Sequence, residues 1–219
     1  VVNLGLNAML PDAVVAFRAA KIMNGMLMRG FTTVRDLGGC THGLRMARDE
    51  GHFDGPRLNI SGKALSQTGG HCDFRGRHDT RDTAFFAARL GSLGRLVDGV
   101  ADVRRACREE IKAGADYIKI MANGGVASPT DPIAFVGFSR EEVLAAVEEA
   151  ENAGTYVAAH LYTDSAIHRA VDCGVRSLEH CNLIQAATAR FAAERGAIAC
   201  PTLVTYQALK DEGATLGLP

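Results

Sequence analysis

Apolar and polar positions divide this chain into short β-branched runs and longer amphipathic stretches that follow one another in turn. The short runs predict strands at 31–36, 56–61, 116–121, 156–160, 177–180 and 197–202. The longer stretches predict helices at 11–28, 42–50, 98–113, 139–152, 164–173 and 185–194, with a short one after Tyr206. Strand and helix alternate about six times, which predicts a parallel sheet with helical crossovers.

The alternation predicts an α/β fold, and we considered a dinucleotide-binding sheet and a barrel. No Gly-x-Gly-x-x-Gly motif opens a predicted helix, which disfavours the dinucleotide fold. A closed (β/α)8 barrel needs eight strands. The pattern therefore predicts a partial (β/α)8 TIM barrel with about six of eight strand–helix units, one strand being absent at each end. Residues 62–97 read as irregular, and a loop of that length is more often functional than accidental.

Three predicted strands each carry a side chain able to bind a metal, namely Lys119, His160 and His180. A polar group inside a buried strand is costly unless it is paired, hydrogen-bonded or metal-bound. Taken alone, Lys119 reads more readily as the partner of a buried acid or as a side chain reaching the strand end. The two histidines are one strand–helix–strand unit apart, so we expect them at equal heights on neighbouring strands. Together the three predict one site at a barrel mouth.

Other side chains near these strands have weaker signals. Tyr162 lies two residues beyond His160 and shares its face, so it could donate a hydrogen bond to a developing oxyanion. His71 follows two glycines in the long loop and reads either as a substrate contact or as a surface histidine. By alternation, Glu179 and Cys181 should face away from His180, Glu179 with a structural role and Cys181 in the core.

Composition narrows the functional classes. The chain has 219 residues, 47% hydrophobic and 22% charged, with a net charge of -1, so nucleic acid is not an expected partner. Neither a membrane-spanning apolar run nor a secretory signal is visible, and membrane association is not expected. Six cysteines without Cys-x-x-Cys spacing indicate reduced thiols and a cytoplasmic protein. A start at Val1 rather than Met, and an end at Pro219, indicate part of a longer protein.

Seven segments resemble the metal-dependent amidohydrolase superfamily, in its prolidase-like and imidazolonepropionase-related branch. They are Gly30–Asp36, Gly62–Ala64 through Gly69–His71, Ile118–Met121, Gly124–Val126, His160–Tyr162, Leu178–Asn182 and Pro201–Leu203. They are spread over most of the chain, so the resemblance treats residues 1–219 as one incomplete TIM-barrel domain.

The resemblance implies a two-metal site, usually zinc. Lys119 would carry a carbamate formed from CO2 and bridge the metals, and His160 and His180 would bind the second metal. Tyr162 and His71 would contact the scissile carbonyl or the carboxylate of the substrate. The implied catalytic residues are therefore Lys119, His160, His180 and Tyr162.

The chain departs from this pattern in three places. It has no His-x-His pair, it lacks the last-strand aspartate that activates water, and it lacks the flanking β-sandwich. Three of the six expected ligands remain. We expect the parent protein to hydrolyse dipeptides or N-acyl amino acids, with a cyclic amide of the imidazolonepropionase type as the alternative, and this chain alone to have little or no activity.

Two other readings stay open. One is a non-catalytic, unclosed barrel whose exposed strand edges drive association, for which a homo-oligomer is expected. The other is a different α/β enzyme in which Lys119 and His160 are structural.

Overall fold

The computed structural model describes residues 4–126, 128, 130–213 and 215. The helices are α1 Leu4–Asn7, α2 Asp12–Met28, α3 His42–Asp49, α4 Thr83–Ala88, α5 Val100–Lys112, α6 Arg140–Asn152, α7 Asp164–Asp172, α8 Ala186–Glu194 and α9 Leu203–Glu212. The strands are β1 Thr33–Asp36, β2 Arg57–Ile60, β3 Ala64–Ser66, β4 Gly94–Leu96, β5 Ile118–Met121, β6 Val157–Thr163, β7 Ser177–Leu183 and β8 Ile198–Cys200.

All the paired strands run parallel. One sheet has the order β4-β3-β5-β6-β7-β8, and β1 and β2 form a separate pair. From β5 onward each strand is followed by a helix, as right-handed crossover units require. The α/β class with a parallel sheet of strand–helix units is thereby confirmed. The carboxyl ends of these strands lie at one edge of the sheet, which is where parallel folds build their sites.

The stretch predicted to be irregular holds regular structure, and the prediction of six strands is wrong. Residues 62–97 contain β3, α4 and β4, so the described residues form eight strands. β3 and β4 have three residues each and contain no β-branched residue, so neither shows the strand pattern in the sequence. β3 matters for the site because it joins β4 to β5, the strand that carries Lys119.

The junction between β2 and β3 connects the two sheets. β2 pairs with β1, and three residues later β3 pairs with β5. Gly62 lies at this junction with φ +67°, and a Cβ there would lie 2.2 Å from Glu110 Oε2. The positive φ, which L side chains rarely adopt, favours glycine at the point where the chain turns from one sheet to the other.

The main core lies between the sheet and helices α5 to α8. Its largest fully buried side chains include Leu65, Ile118, Ile120, Leu161 and Leu178. Ile118 and Ile120 flank Lys119 and belong to this outer core, so alternation turns Lys119 to the opposite face of β5. The same packing that holds the sheet on its helices therefore aims Lys119 into the interior.

Most helix boundaries fall within two residues of the prediction. Ser139 and Glu142 form a capping box at the start of α6, with each side chain bonded to the other's backbone N–H. The last helix starts at Leu203, before the predicted position. No helix in the described ranges combines the length and the apolar content needed to cross a bilayer.

Candidate metal centre

Lys119 lies in the middle of β5 with 2% of its surface exposed. Its Nζ has no hydrogen-bond partner among the described residues. Burial lowers the pKa of the Lys119 amine to about 8, partly offset by the charge of Glu179. Burying an amine without a hydrogen-bond partner costs free energy, so we expect Lys119 to bind a ligand or to be chemically modified.

His160 lies in the middle of β6 and is as deeply buried as Lys119. Its Nε2 is 3.2 Å from the carbonyl oxygen of Gly124. A carbonyl only accepts hydrogen bonds, so this contact assigns the proton to Nε2 and leaves the Nδ1 lone pair free. Burial, then the charges of His71 and Lys119, hold the pKa of His160 well below its ordinary value. The ring is therefore neutral and available as a ligand through Nδ1.

His180 lies on β7, beside His160, with ring centroids 4.8 Å apart. Its Nδ1 is 2.6 Å from the Thr202 hydroxyl oxygen. Burial lowers the pKa of His180 to about 4, with a further lowering by Lys119. Lys119, His160 and His180 thus occupy one region, since Lys119 acts on the pKa of both histidines.

The two histidines do not lie at equal heights, contrary to the prediction. In the sheet register His160 pairs with Glu179, whereas His180 pairs with Leu161, one position further along. Strict alternation would then turn His180 away from His160. The backbone instead takes positive φ at His180 (77°) and Cys181 (54°), and the register shifts between Leu161 and Thr163. This irregularity brings the His180 ring back to His160.

The predicted direction of Glu179 is wrong for the same reason. Glu179 is 1% exposed and shares the register position of His160. It accepts hydrogen bonds from Arg35 at 2.8 Å and from Ser177 at 2.7 Å, and its charge raises the pKa of Lys119. Its pairing with Arg35 fits the structural role that the sequence suggested. Cys181 is buried in the outer core, as predicted.

The other two predicted site residues meet the same group of rings. The His71 ring stacks on His160 with centroids 4.2 Å apart, and the Tyr162 ring lies 4.7 Å from His160 and 5.4 Å from His180. The structure thus brings together all five residues selected from the sequence. Their roles in binding and catalysis stay predictions.

Tyr206, on α9, is a site residue that sequence reasoning missed. Its hydroxyl donates to the Tyr162 hydroxyl at 2.8 Å, and its ring lies 6.0 Å from His180. Because Tyr206 is the donor, the Tyr162 proton remains free to point at a substrate oxygen. No sequence signal links these tyrosines, since they are 44 positions apart and only the fold joins them.

Asn123 is a second missed residue, at the end of β5. Its amide donates to the carbonyls of Ile133 and Phe135, and its oxygen accepts from the backbone N–H groups of Tyr162 and Thr163, both at 2.8 Å. A buried side-chain amide whose nitrogen and oxygen are both hydrogen-bonded holds the backbone segments that it joins rigidly together. Asn123 therefore fixes the strand end that presents Tyr162.

The loop over the site contains a buried acid. Asp131 is 2% exposed, and neither carboxylate oxygen has a hydrogen-bond partner among the described residues. Burial raises the pKa of Asp131, although the nearby Ser128 hydroxyl lowers it. Ser128 also contacts His71 Nδ1. Ala127 and Pro129, on either side of Ser128, lie outside the described residues.

The donor set fits one metal ion only if Lys119 takes part. Among the His, Cys, Asp and Glu side chains that the structure describes, no group of three or more could hold a metal. His160 and His180 therefore need a third donor of another kind. Lys119 is the buried side chain beside them with an unsatisfied nitrogen, and as a carbamate it would supply carboxylate oxygens.

Comparison with known proteins gives consistent matches. The Amidohydrolase family model matches residues 2–216. An Aspergillus niger ochratoxinase is 39% identical over 161 residues, covering 70% of this chain and 34% of the relative. A crystal structure of a prolidase complexed with N-methylphosphonate-L-proline is 55% identical and superposes with a TM-score of 0.96, covering 99% of this chain and 53% of that one.

A Xaa-Pro dipeptidase crystallised with methionine in its active site is 30% identical, with a TM-score of 0.83, and covers 96% of this chain and 52% of that one. The chain thus spans about half the length of these solved structures and about a third of the curated relative. These superpositions confirm the prediction of a partial TIM barrel.

Proposed function

The chain belongs to the amidohydrolase family, and from this premise we propose that it supplies half of a two-metal centre, usually zinc, that hydrolyses an amide bond. The observation that carries the proposal is the buried, unpartnered Nζ of Lys119 beside two histidine rings. A purely structural lysine would be expected to have a hydrogen-bonding partner at such depth.

The lowered pKa prepares Lys119 for carbamate formation. With a pKa of about 8, a substantial fraction of the amine is neutral near physiological pH. The neutral nitrogen attacks the carbon of CO2, an N–C bond forms, and one N–H proton leaves to solvent. The product is a carboxylate-like group at a position where the unmodified amine has no partner.

The histidines would complete the protein side of the centre. His160 offers Nδ1 because its Nε2–H is held by the Gly124 carbonyl, and His180 offers the nitrogen opposite Thr202. Bound metal ions would lower the pKa of a water molecule and polarise the scissile carbonyl. Tyr162, its hydroxyl oxygen already accepting from Tyr206, would donate its proton to the carbonyl oxygen as negative charge develops there.

We propose dipeptides or N-acyl amino acids as substrates. Two of the similar structures are a prolidase and a Xaa-Pro dipeptidase, and the curated relative is an ochratoxinase. These names support a linear amide rather than the cyclic amide considered from the sequence. His71, stacked on His160, is placed where it could contact the substrate carbonyl or carboxylate.

The cellular setting is also a proposal. Six free cysteines, five of them buried, support a reducing compartment such as the cytoplasm. The proposed substrates are small molecules or dipeptides, and no nucleic-acid or membrane partner is proposed. Self-association through the open strand edges is proposed as well.

Metal binding and turnover test this function separately. We expect the purified chain to bind one zinc ion in the presence of bicarbonate and to show little hydrolysis of Xaa-Pro dipeptides, since the sequence has no His-x-His pair. Absence of zinc binding in calorimetry would reject the centre. Robust metal-dependent turnover by the chain alone would instead reject the proposal that it holds only half of the machinery.

A further inference from the structure

We propose that Thr202 is a positioning residue that selects the tautomer of His180, so that Nδ1 carries the proton and Nε2 presents its lone pair to the site. The tautomer itself follows from hydrogen-bond geometry alone. Its consequence for metal binding rests on the proposed function.

The direction of the hydrogen bonds at Thr202 is the first argument. The Thr202 hydroxyl is 2.6 Å from His180 Nδ1 and 3.2 Å from the carbonyl oxygen of Cys200. The carbonyl can only accept, so the single hydroxyl proton goes to Cys200. The hydroxyl oxygen must then accept from His180, which requires a proton on Nδ1.

The backbone at Thr202 is the second argument. Three non-glycine residues in the described ranges have positive φ, namely His180, Cys181 and Thr202 at 51°. A β-branched residue in the left-handed region is strained. His180 and Thr202 are the two partners of one hydrogen bond, and Cys181 is the residue next to His180. Strain gathered at one contact indicates that the contact itself is what the fold maintains.

The third argument is that the Thr202 hydroxyl does not cap the helix that follows it. Thr202 is the residue before α9, where threonine normally caps the helix by accepting from a backbone N–H. Here it makes no such bond, and its side chain is directed to His180 instead.

The two site histidines are consequently held from opposite nitrogens. The Gly124 carbonyl holds His160 by Nε2, and Thr202 holds His180 by Nδ1. The two ring planes make an angle of 70°. The free nitrogen of His160 is Nδ1, whereas that of His180 is Nε2. If His180 had the other tautomer, its Nε2 would be a donor and could not bind a metal ion.

Imidazole NMR on the metal-free protein tests the inference without relying on activity. Long-range ¹H–¹⁵N spectra at pH 7, with His180 assigned through a His180→Gln variant, should show a protonated Nδ1 and a bare Nε2. Thr202→Val, which keeps the β-branch but removes the hydroxyl, should lose that pattern, and Thr202→Ser should restore it. Thr205→Val, an exposed position on the same helix, is the matched control and should leave the spectrum unchanged.

A protonated Nε2 in the unmodified protein, or an unchanged pattern in Thr202→Val, would overturn the inference. Should Thr202→Val fail to fold by circular dichroism, the unmodified spectrum and Thr202→Ala still decide it. Zinc calorimetry separates this inference from the proposed function. We expect about 10–100-fold weaker binding in Thr202→Val. Equal affinity of both proteins would reject the metal consequence, whereas no binding by either, with the tautomer as stated, would reject only the proposed centre.

Discussion

Two buried lysines in different parts of the molecule have the same pKa and opposite surroundings. Lys63, at the start of β3, is 8% exposed, and Lys119, in β5, is 2% exposed. Burial lowers the pKa of each to about 8. The Lys63 ammonium donates to the carbonyls of Arg89 and Ser92 at 2.7 and 2.6 Å, whereas Lys119 Nζ has no hydrogen-bond partner in the described ranges.

The difference shows that a perturbed pKa alone does not identify a functional lysine. Lys63 is a structural connection, because its two acceptors belong to the segment that leads into β4. Lys119 has the same depth and the same pKa without that connection. What separates them is whether the donors of the ammonium group are satisfied, and that difference can be tested by making one substitution at both sites.

The largest effect is expected from Lys63→Met. The substitution leaves two buried carbonyls without their donor and releases the segment before β4, so we expect the free energy of unfolding to fall by about 3–4 kcal/mol. Urea unfolding of the metal-free protein at pH 7, followed by circular dichroism, measures this. A loss below about 1 kcal/mol would show that the hydrogen bonds of the Lys63 ammonium do not hold the segment before β4 in place.

Lys119→Met should affect metal binding instead. We expect zinc affinity in the presence of bicarbonate to fall by at least about 100-fold, since the variant cannot form a carbamate. Isothermal titration calorimetry on folded protein measures this. CO2-depleted buffer should also lower the zinc affinity of the unmodified protein and leave the zinc affinity of the variant unchanged. If the variant binds zinc like the unmodified protein, the carbamate proposal is wrong.

Much of the fold could be predicted from the sequence, since strands of four or more residues and helices with a clear apolar face leave a periodic pattern. The failures lie at β3 and β4, which are short and contain no β-branched residue, whereas β8, equally short, contains Ile198 and was predicted. Lys63 was overlooked for a related reason. Its acceptors are main-chain carbonyls 26 and 29 residues further along, and a carbonyl has no residue type to recognise.

The site was partly predictable for a different reason. Lys119, His160 and His180 interrupt apolar runs, and such interruptions can be seen in the amino-acid sequence alone. The prediction failed for Glu179 because alternation assumes a regular strand, and the positive φ at His180 and Cys181 breaks that assumption. Thr202 and Tyr206 reach the site only through tertiary packing, from the β8–α9 segment.

The pH dependence of stability should reveal the cost of burying the Lys119 charge. Below pH 8 the Lys119 amine is protonated in both folded and unfolded states, and the folded state bears the full penalty of a buried charge. Between about 8 and 10.5 the unfolded chain binds more protons, so stability rises with pH. Above that range the charge penalty is gone.

Lys119→Met should therefore stabilise the metal-free protein by about 3 kcal/mol at pH 7, from a pKa shift worth about 1.4 kcal/mol per unit. The advantage should shrink as pH approaches 10.5. Comparing variant with unmodified protein at each pH in CO2-depleted buffer cancels the cysteines, which titrate in the same range. A gain that does not change with pH would mean that burial does not lower the pKa of the Lys119 amine.

The smallest effect concerns the acids beside Lys63. Glu110 accepts from the Lys63 backbone N–H at 3.0 Å and pairs with Arg95 at 3.3 Å, while its neighbour Glu109 pairs with the same arginine at 2.6 Å. Glu110 is buried and Glu109 is exposed. Glu110→Gln removes a charge in a poorly solvated place and should lower the unfolding free energy by about 1 kcal/mol. Glu109→Gln, the matched control, should change it by less than about 0.5 kcal/mol despite the shorter ion pair. Equal effects in urea unfolding would mean that distance, not burial, sets the strength of these contacts, and the contrast between the two lysines would lose its physical basis.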